Sequence, residues 1–225
     1  MAINLVKGQT IDLRKGSKGE QYDLSTVTIG LGWDIRKKQS GGFLGKVFGG
    51  SKEEEYDLDA IAFLLDSNGK VANMGRNAQT TNGRNVSLYE GDVIYFNSMK
   101  HPSGHIWLTG DNRTGAGDGD DEQIIVKLDS LSPKYDKILF IVAVYQGTQK
   151  NQNFGMVENA FIRAVDSRGT EIAKFNLSGD ATYNGMCSMV FSEVYRKDGT
   201  WKFRAIGEPH QTDNFIEILK KYVYT

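Results

Sequence analysis

The chain is poor in the residues that staple, stiffen or anchor a polypeptide. It has one cysteine, Cys187, and three prolines among 225 residues, so no intrachain disulfide can form and a packed core has to hold the fold. No apolar run approaches the ~20 residues that a bilayer-spanning helix needs, which excludes a transmembrane segment of that kind. The opening Met1-Ala2-Ile3-Asn4-Leu5 carries no basic segment followed by a long apolar stretch. A secretory leader is therefore not expected, and the expected setting is cytoplasmic, with at most peripheral contact at the inner membrane surface. In that setting the sequons at Asn85, Asn112 and Asn176 stay unused. Charge of one sign is also lacking. The 27 basic residues against 28 acidic ones leave no global cationic field to hold a polyanion, and no nucleic-acid partner is expected.

What the chain does have is core material and strand pattern. It is 39% hydrophobic and 11% aromatic, and all-β domains of this length often remain single, so one domain over 1–225 is expected. β-branched and aromatic runs of strand length stand at 24–31, 60–65, 92–97, 122–128, 137–145, 159–165, 171–177, 186–194 and 201–205. Hairpin signals separate several of them: Asp66-Ser67-Asn68-Gly69, Asp166-Ser167-Arg168-Gly169 and Lys197-Asp198-Gly199. Short strands joined by turns imply an all-β, two-sheet antiparallel β-sandwich with few short helices. One helix is expected at the C-terminus, from Asp213 as N-cap to Tyr224, with Phe215, Ile216, Leu219 and Val223 on its apolar face. Ala62-Phe63-Leu64-Leu65-Asp66-Ser67-Asn68-Gly69 recurs in outline as Ala160 to Gly169, which reads equally as two similar halves, each packing as a sheet, or as two ordinary hairpins. The glycine-rich stretch at about 37–55 has no strand pattern and reads as a loop insertion. Its Phe43, Leu44, Val47 and Phe48 form a small apolar patch, either folded back on the sandwich or offered to a partner.

The stretch Gly110 to Glu122 fits no regular element. Its thirteen residues hold five carboxylates, the Asn112 amide and four glycines, so like charges repel where glycine makes order costly. A hard cation offsets both penalties, because Ca2+ takes 6–8 oxygen ligands from carboxylates, amides and backbone carbonyls. The spacing is not that of an EF-hand. From Asp111 the third position is Arg113; from Asp118 the sixth is Gln123 and the twelfth is Asp129. A stacked calcium β-roll needs repeats, and Gly117-Asp118-Gly119-Asp120-Asp121 occurs once. Two other acidic segments can reach the same end of a sandwich, Gly30-Leu31-Gly32-Trp33-Asp34 and Tyr56-Asp57-Leu58-Asp59-Ala60. In the second, Asp57 and Asp59 alternate with Leu58 and so point the same way at a strand entrance.

Four stretches in this order carry a family likeness: Val27 to Asp34, Asp57-Leu58-Asp59-Ala60, Thr109 to Gly115 with Gly117 to Glu122, and Asn153 to Arg163. With them the chain resembles the TerD family of tellurium-resistance and stress-response proteins over almost its whole length. The resemblance implies a β-sandwich that binds calcium through acidic loops, with Asp57, Asp59, Asp111, Asn112, Asp118, Asp120, Asp121 and Glu122 lining the calcium sites. The resemblance leaves the biological role open; the leading expectation is a non-catalytic module whose Ca2+-ordered loops form a surface for a protein partner of a stress-response or membrane-associated complex, or for an anionic lipid headgroup. Ile61 and Leu108 depart from the family's usual small hydroxyl and His at those places, and neither replaces a carboxylate.

Enzyme signatures are weak beside this. Gly30-Leu31-Gly32 has Ile35 at the third glycine position and no βαβ unit after it, and Gly45-Lys46 lacks the rest of a phosphate-binding loop. His101 and His105 are separated by Pro102 and Gly104, which break the helix that would align them on zinc. Cys187 reads as a small core residue. The remaining alternative is a metal-dependent hydrolase at the same acidic cluster, with Asp34 or His105 as base.

Overall fold

Alternating and fully apolar runs become the central strands of two sheets. The computed structural model describes residues 2–16, 19–35, 56–79, 83, 85–109, 119–177 and 181–225. Its strands are β1 (Ile3–Leu5), β2 (Thr10–Asp12), β3 (Val27–Ile35), β4 (Leu58–Leu65), β5 (Arg76–Gln79), β6 (Asn85–Tyr89), β7 (Val93–Ile94), β8 (Ile106–Leu108), β9 (Glu122–Val126), β10 (Lys137–Val144), β11 (Val157–Val165), β12 (Glu171–Asn176), β13 (Ser188–Lys197) and β14 (Thr200–His210). One sheet has the order β1-β12-β11-β3-β9-β8, the second β2-β14-β13-β10-β4-β7, and β5 with β6 forms a separate hairpin. All pairings are antiparallel except β1 with β12. The glycine-rich insertion at about 37–55 lies outside the described residues.

The two sheets close on one apolar core that takes Ile29, Leu31 and Ile162 from the first and Leu64, Phe140 and Phe203 from the second. Strand alternation gives the second sheet a further apolar face, because Ile61, Phe63 and Leu65 of β4 and Leu139 and Ile141 of β10 point away from the first sheet. The C-terminal helix covers that face. Phe215–Leu219 is α-helical and runs into a 3-10 turn, with Ile218 and Leu219 buried. The cap differs from expectation: Asn214, not Asp213, receives the first-turn N–H, from Ile216 at 3.1 Å. Asp213 instead accepts the Thr148 N–H at 3.0 Å.

The repeated Asp-Ser-x-Gly turns are true equivalents. The Asp66 carboxylate accepts the N–H of Asn68 and Lys70 at 2.9 and 3.0 Å, and that of Asp166 accepts the N–H of Arg168 and Thr170 at 3.0 and 2.8 Å. Both are Asx turns closing a long central strand. The halves nevertheless do not form one sheet each. β3 of the first half pairs with β11 of the second, and β10 of the second pairs with β4 of the first, so the two halves interleave.

Asp166 is the more deeply committed of the two aspartates, since its side chain is fully buried and also accepts the Asp23 N–H and the Arg168 guanidinium. Burial pushes its carboxyl up, but the N–H donors and Arg168 outweigh it and the net shift is below the ordinary 3.8. A depressed folded-state value stabilises the protein above the ordinary carboxylate range and is lost as pH falls through it. Asp166→Ala is expected to cost on the order of 3 kcal/mol at neutral pH, with the difference from the parent shrinking at about pH 3; urea unfolding at both pH values measures it.

Candidate metal centre

One acidic side chain of the first sheet reaches the edge of β4. β7 pairs only with Ala62 and Phe63 of β4, so the strand's entrance extends past its neighbour. There the Ala60 N–H donates to Glu122 Oε2 at 2.5 Å, across from the first sheet. Glu122 opens β9, and only 1% of its surface is exposed. A carboxylate thus stands where a neighbouring strand would have put a carbonyl. Leu58 and Ala60 face the shared core, while Asp59 falls on the side of Ile61 and Phe63. Asp57 and Asp59 are 8% and 7% exposed. Asp59 is therefore not carried into the space between the sheets.

Asp121 reaches the same end from β3. Its N–H donates to Leu31 O at 2.8 Å, and its Oδ2 accepts the Trp33 N–H at 2.9 Å. Burial pushes its carboxyl up, with the charges of Asp34 and Asp120 adding to the rise against the Trp33 N–H. The Trp33 indole N–H donates to Tyr56 O at 3.2 Å, and the Tyr56 hydroxyl reaches the Met156 sulfur at 2.6 Å. One aromatic pair therefore joins the end of β3 to the approaches of β4 and β11. Asp34 accepts from Asn159 Nδ2 at 2.7 Å, across a bulge where Asn159 holds φ 52°.

Asp120 goes elsewhere. A bend at Asp121 separates its neighbours, so that Glu122 points inward while Asp120 lies on the outer face of the first sheet, above Gly30. Its carboxylate accepts from Arg163 Nε at 2.7 Å and Gln123 Nε2 at 3.2 Å. Asp111, Asn112 and Asp118 lie outside the described residues. The structure therefore sets Glu122 on the β4 edge and Asp121 at the end of β3, leaves Asp57 and Asp59 at the entrance of β4, and turns Asp120 to the outer face of the first sheet. Sequence reasoning quoted Arg163 within a motif and assigned it no role; a basic residue inside an otherwise apolar strand run was the available signal.

The donors fit a hard cation in kind. They are all oxygen, desolvated, and delivered by two separate segments, and the rise at Asp121 is the electrostatic cost a cation would relieve. Among the described residues no group of three or more His, Cys, Asp and Glu side chains is gathered closely enough to hold a metal. A full shell needs further oxygens, and the neighbouring sequence 110–118 carries three candidates.

The other polar clusters have structural work. Asp92 accepts from the Tyr135 hydroxyl at 2.5 Å and from the Asn73 N–H at 2.9 Å, and it faces His101 Nε2 at 3.1 Å. This buried knot occupies His101 and leaves no zinc pair with His105. β8 and β9 run antiparallel, with Ile106 opposite Val126. His105 stands opposite Lys127, just beyond the far end of β9 from Glu122 and ~16 Å along the strand, too distant to serve Glu122 as a base. The Cys187 thiol is buried, which pushes its pKa up, and it donates to Gln152 O at 3.4 Å.

A model of the TerD domain matches residues 1–77 and 78–222. The chain belongs to the TerD family. It is 56% identical to tellurium resistance protein TerX of Serratia marcescens over 223 residues, 99% of this chain and 100% of that protein. It is 41% identical to stress response protein SCP2 of Bacillus subtilis strain 168, again over 99% of this chain and the whole relative. The fold matches a crystal structure of a homologue of telluride resistance protein (TerD) from Streptomyces coelicolor A3(2). That match has a TM-score of 0.57 and 22% identity, covering 89% of this chain and 99% of the other. The sandwich, the C-terminal helix and the TerD assignment expected from sequence are thus found together.

Because Glu122 holds the Ala60 amide across the sandwich, Glu122→Ala is expected to destabilise the chelator-treated protein by about 2–3 kcal/mol. Glu122→Gln keeps an acceptor for that amide and should cost less than about 1 kcal/mol. Chemical denaturation of both variants in chelator makes the comparison.

Proposed function

We propose that this TerD-family protein binds Ca2+ at the β4 edge and acts without catalysis. Asp57, Asp59, Asp121 and Glu122 would hold the ion together with Asp111, Asn112 and Asp118. The observation that supports this reading is the buried Glu122 carboxylate on the Ala60 N–H, at the strand whose entrance also carries the buried Asp57 and Asp59. When bound, the ion supplies positive charge that neutralises these carboxylates. The residues themselves do the rest. Glu122 ties the second sheet to the first through Ala60, Asp121 fixes the end of β3 through Trp33, and Asp57 and Asp59 keep the β4 entrance facing the same edge. Ordering these segments creates a surface for a protein partner in a stress-response or membrane-associated complex, consistent with relatives named for tellurium resistance and stress response. No helix among the described residues is long and apolar enough to cross a membrane, so contact with one would be peripheral.

Calorimetric titration with CaCl2 and MgCl2 tests the site. The parent protein should bind Ca2+, and Asp59→Asn combined with Asp121→Asn should abolish binding while leaving the far-UV spectrum unchanged. At Ca2+ near 100 times the dissociation constant, the folded state should gain about 2.7 kcal/mol, seen as a higher melting temperature that chelator reverses. A parent protein that binds no Ca2+ at millimolar concentration contradicts the proposal. For the partner surface, capture from lysate with Ca2+ should retain a protein that chelator releases.

A further inference from the structure

We infer that Arg163 is a positioning residue for the calcium site, acting through Asp120 from the opposite face of the first sheet. The inference rests on the calcium reading above and deepens it, by dividing the acidic stretch into residues that face the ion and one that anchors the backbone. Asp120 and Glu122 stand two apart, and an unbroken strand would put both on one face. They lie on opposite faces because the chain bends at Asp121. Something has to hold Asp120 outward against its preference, as a charged group, for water.

Three features hold it. The Arg163 Nε bonds its Oδ1 at 2.7 Å, and Gln123 Nε2 bonds its Oδ2 at 3.2 Å. Arg163 is in turn fixed by Glu171, at 3.0 Å. Finally, the surface beneath has been cleared. A Cβ at Gly30 would lie within 2.2 Å of the Asp120 carboxylate, and one at Gly32 would lie within 2.6 Å of Gly119 O and 2.5 Å of the Phe161 ring. Gly30 and Gly32 make a trough along β3, and the segment 119–120 lies in it. The Asp120 side chain is 2% exposed there, although it sits on an outer face. A buried, paired carboxylate is strongly penalised when it is stripped of its partner, so the pin is firm. With Asp120 fixed outward, the next two residues have one arrangement, with Asp121 on the Trp33 N–H and Glu122 on the Ala60 N–H. Partners of this outer kind orient metal ligands, and their loss typically costs on the order of 10–100-fold in metal affinity.

The test is calorimetry with CaCl2 on the intact chain, using Arg163→Gln, Arg163→Lys, Gly30→Ala, Glu171→Gln and the pair Asp120→Asn with Arg163→Gln. Arg163→Gln and Gly30→Ala attack the same carboxylate from different sides, and each should weaken binding at least tenfold. Arg163→Lys keeps one charged donor and should fall between them and the parent. Glu171→Gln keeps the Asp120 pair but loosens Arg163, and should weaken binding less than Arg163→Gln does. In the Asp120→Asn background, adding Arg163→Gln should change affinity no further; a general loss of fold stability would add instead. Parent-like binding by Arg163→Gln, or an additive loss in the double variant, overturns the inference while leaving the calcium reading in place. No binding by the parent overturns both.

Discussion

The structure turns on one buried carboxylate. Glu122 opens a strand of the first sheet, yet its oxygen accepts an amide of the second at the place where β4 outruns its neighbour. An edge amide buried without a partner would cost about 1–3 kcal/mol, and an unpaired strand edge invites association with other chains. Glu122 answers both problems but brings a desolvated carboxylate to the seam between the sheets. Under the proposed calcium reading, a cation would offset that cost.

The seam also explains where rigidity and variability are placed. Trp33 ties the ends of β3 and β4 together in the same region, its indole N–H on Tyr56 O and its backbone N–H on Asp121. Away from it, the Asx turns at Asp66 and Asp166 and the Asp92, His101 and Tyr135 knot satisfy their buried carboxylates with N–H and O–H donors in full. Those sites need no ion.

Much of this was legible from sequence because it rests on local pattern. The long central strands, the Asp-Ser-x-Gly turns and the C-terminal helix are each written in consecutive residues, and the acidic glycine-rich stretch announces itself by composition. Strands such as β1, β2 and β8 were not legible, since three residues held by pairing to distant strands leave no period to read. Alternation set Asp59 opposite Leu58 but could not say which face that was, and it would have put Asp120 with Glu122. The bend that parts them depends on Arg163 and on Gly30, which are far away in sequence and meet Asp120 only in the folded sheet. The Gly30-Leu31-Gly32 motif, unconvincing as a nucleotide fingerprint, turns out to be the floor on which that meeting takes place.

Amide hydrogen exchange with and without Ca2+ tests the central claim most directly, read at the Trp33 and Ala60 amides that the Asp121 and Glu122 carboxylates accept. If a cation relieves the repulsion at the β4 edge, exchange at these two amides slows on adding Ca2+ and returns to its starting rate with chelator, while the Asx turn amides at Asn68 and Arg168 do not change. Equal protection at Trp33 and Ala60 in both conditions, under saturating Ca2+, would contradict the account.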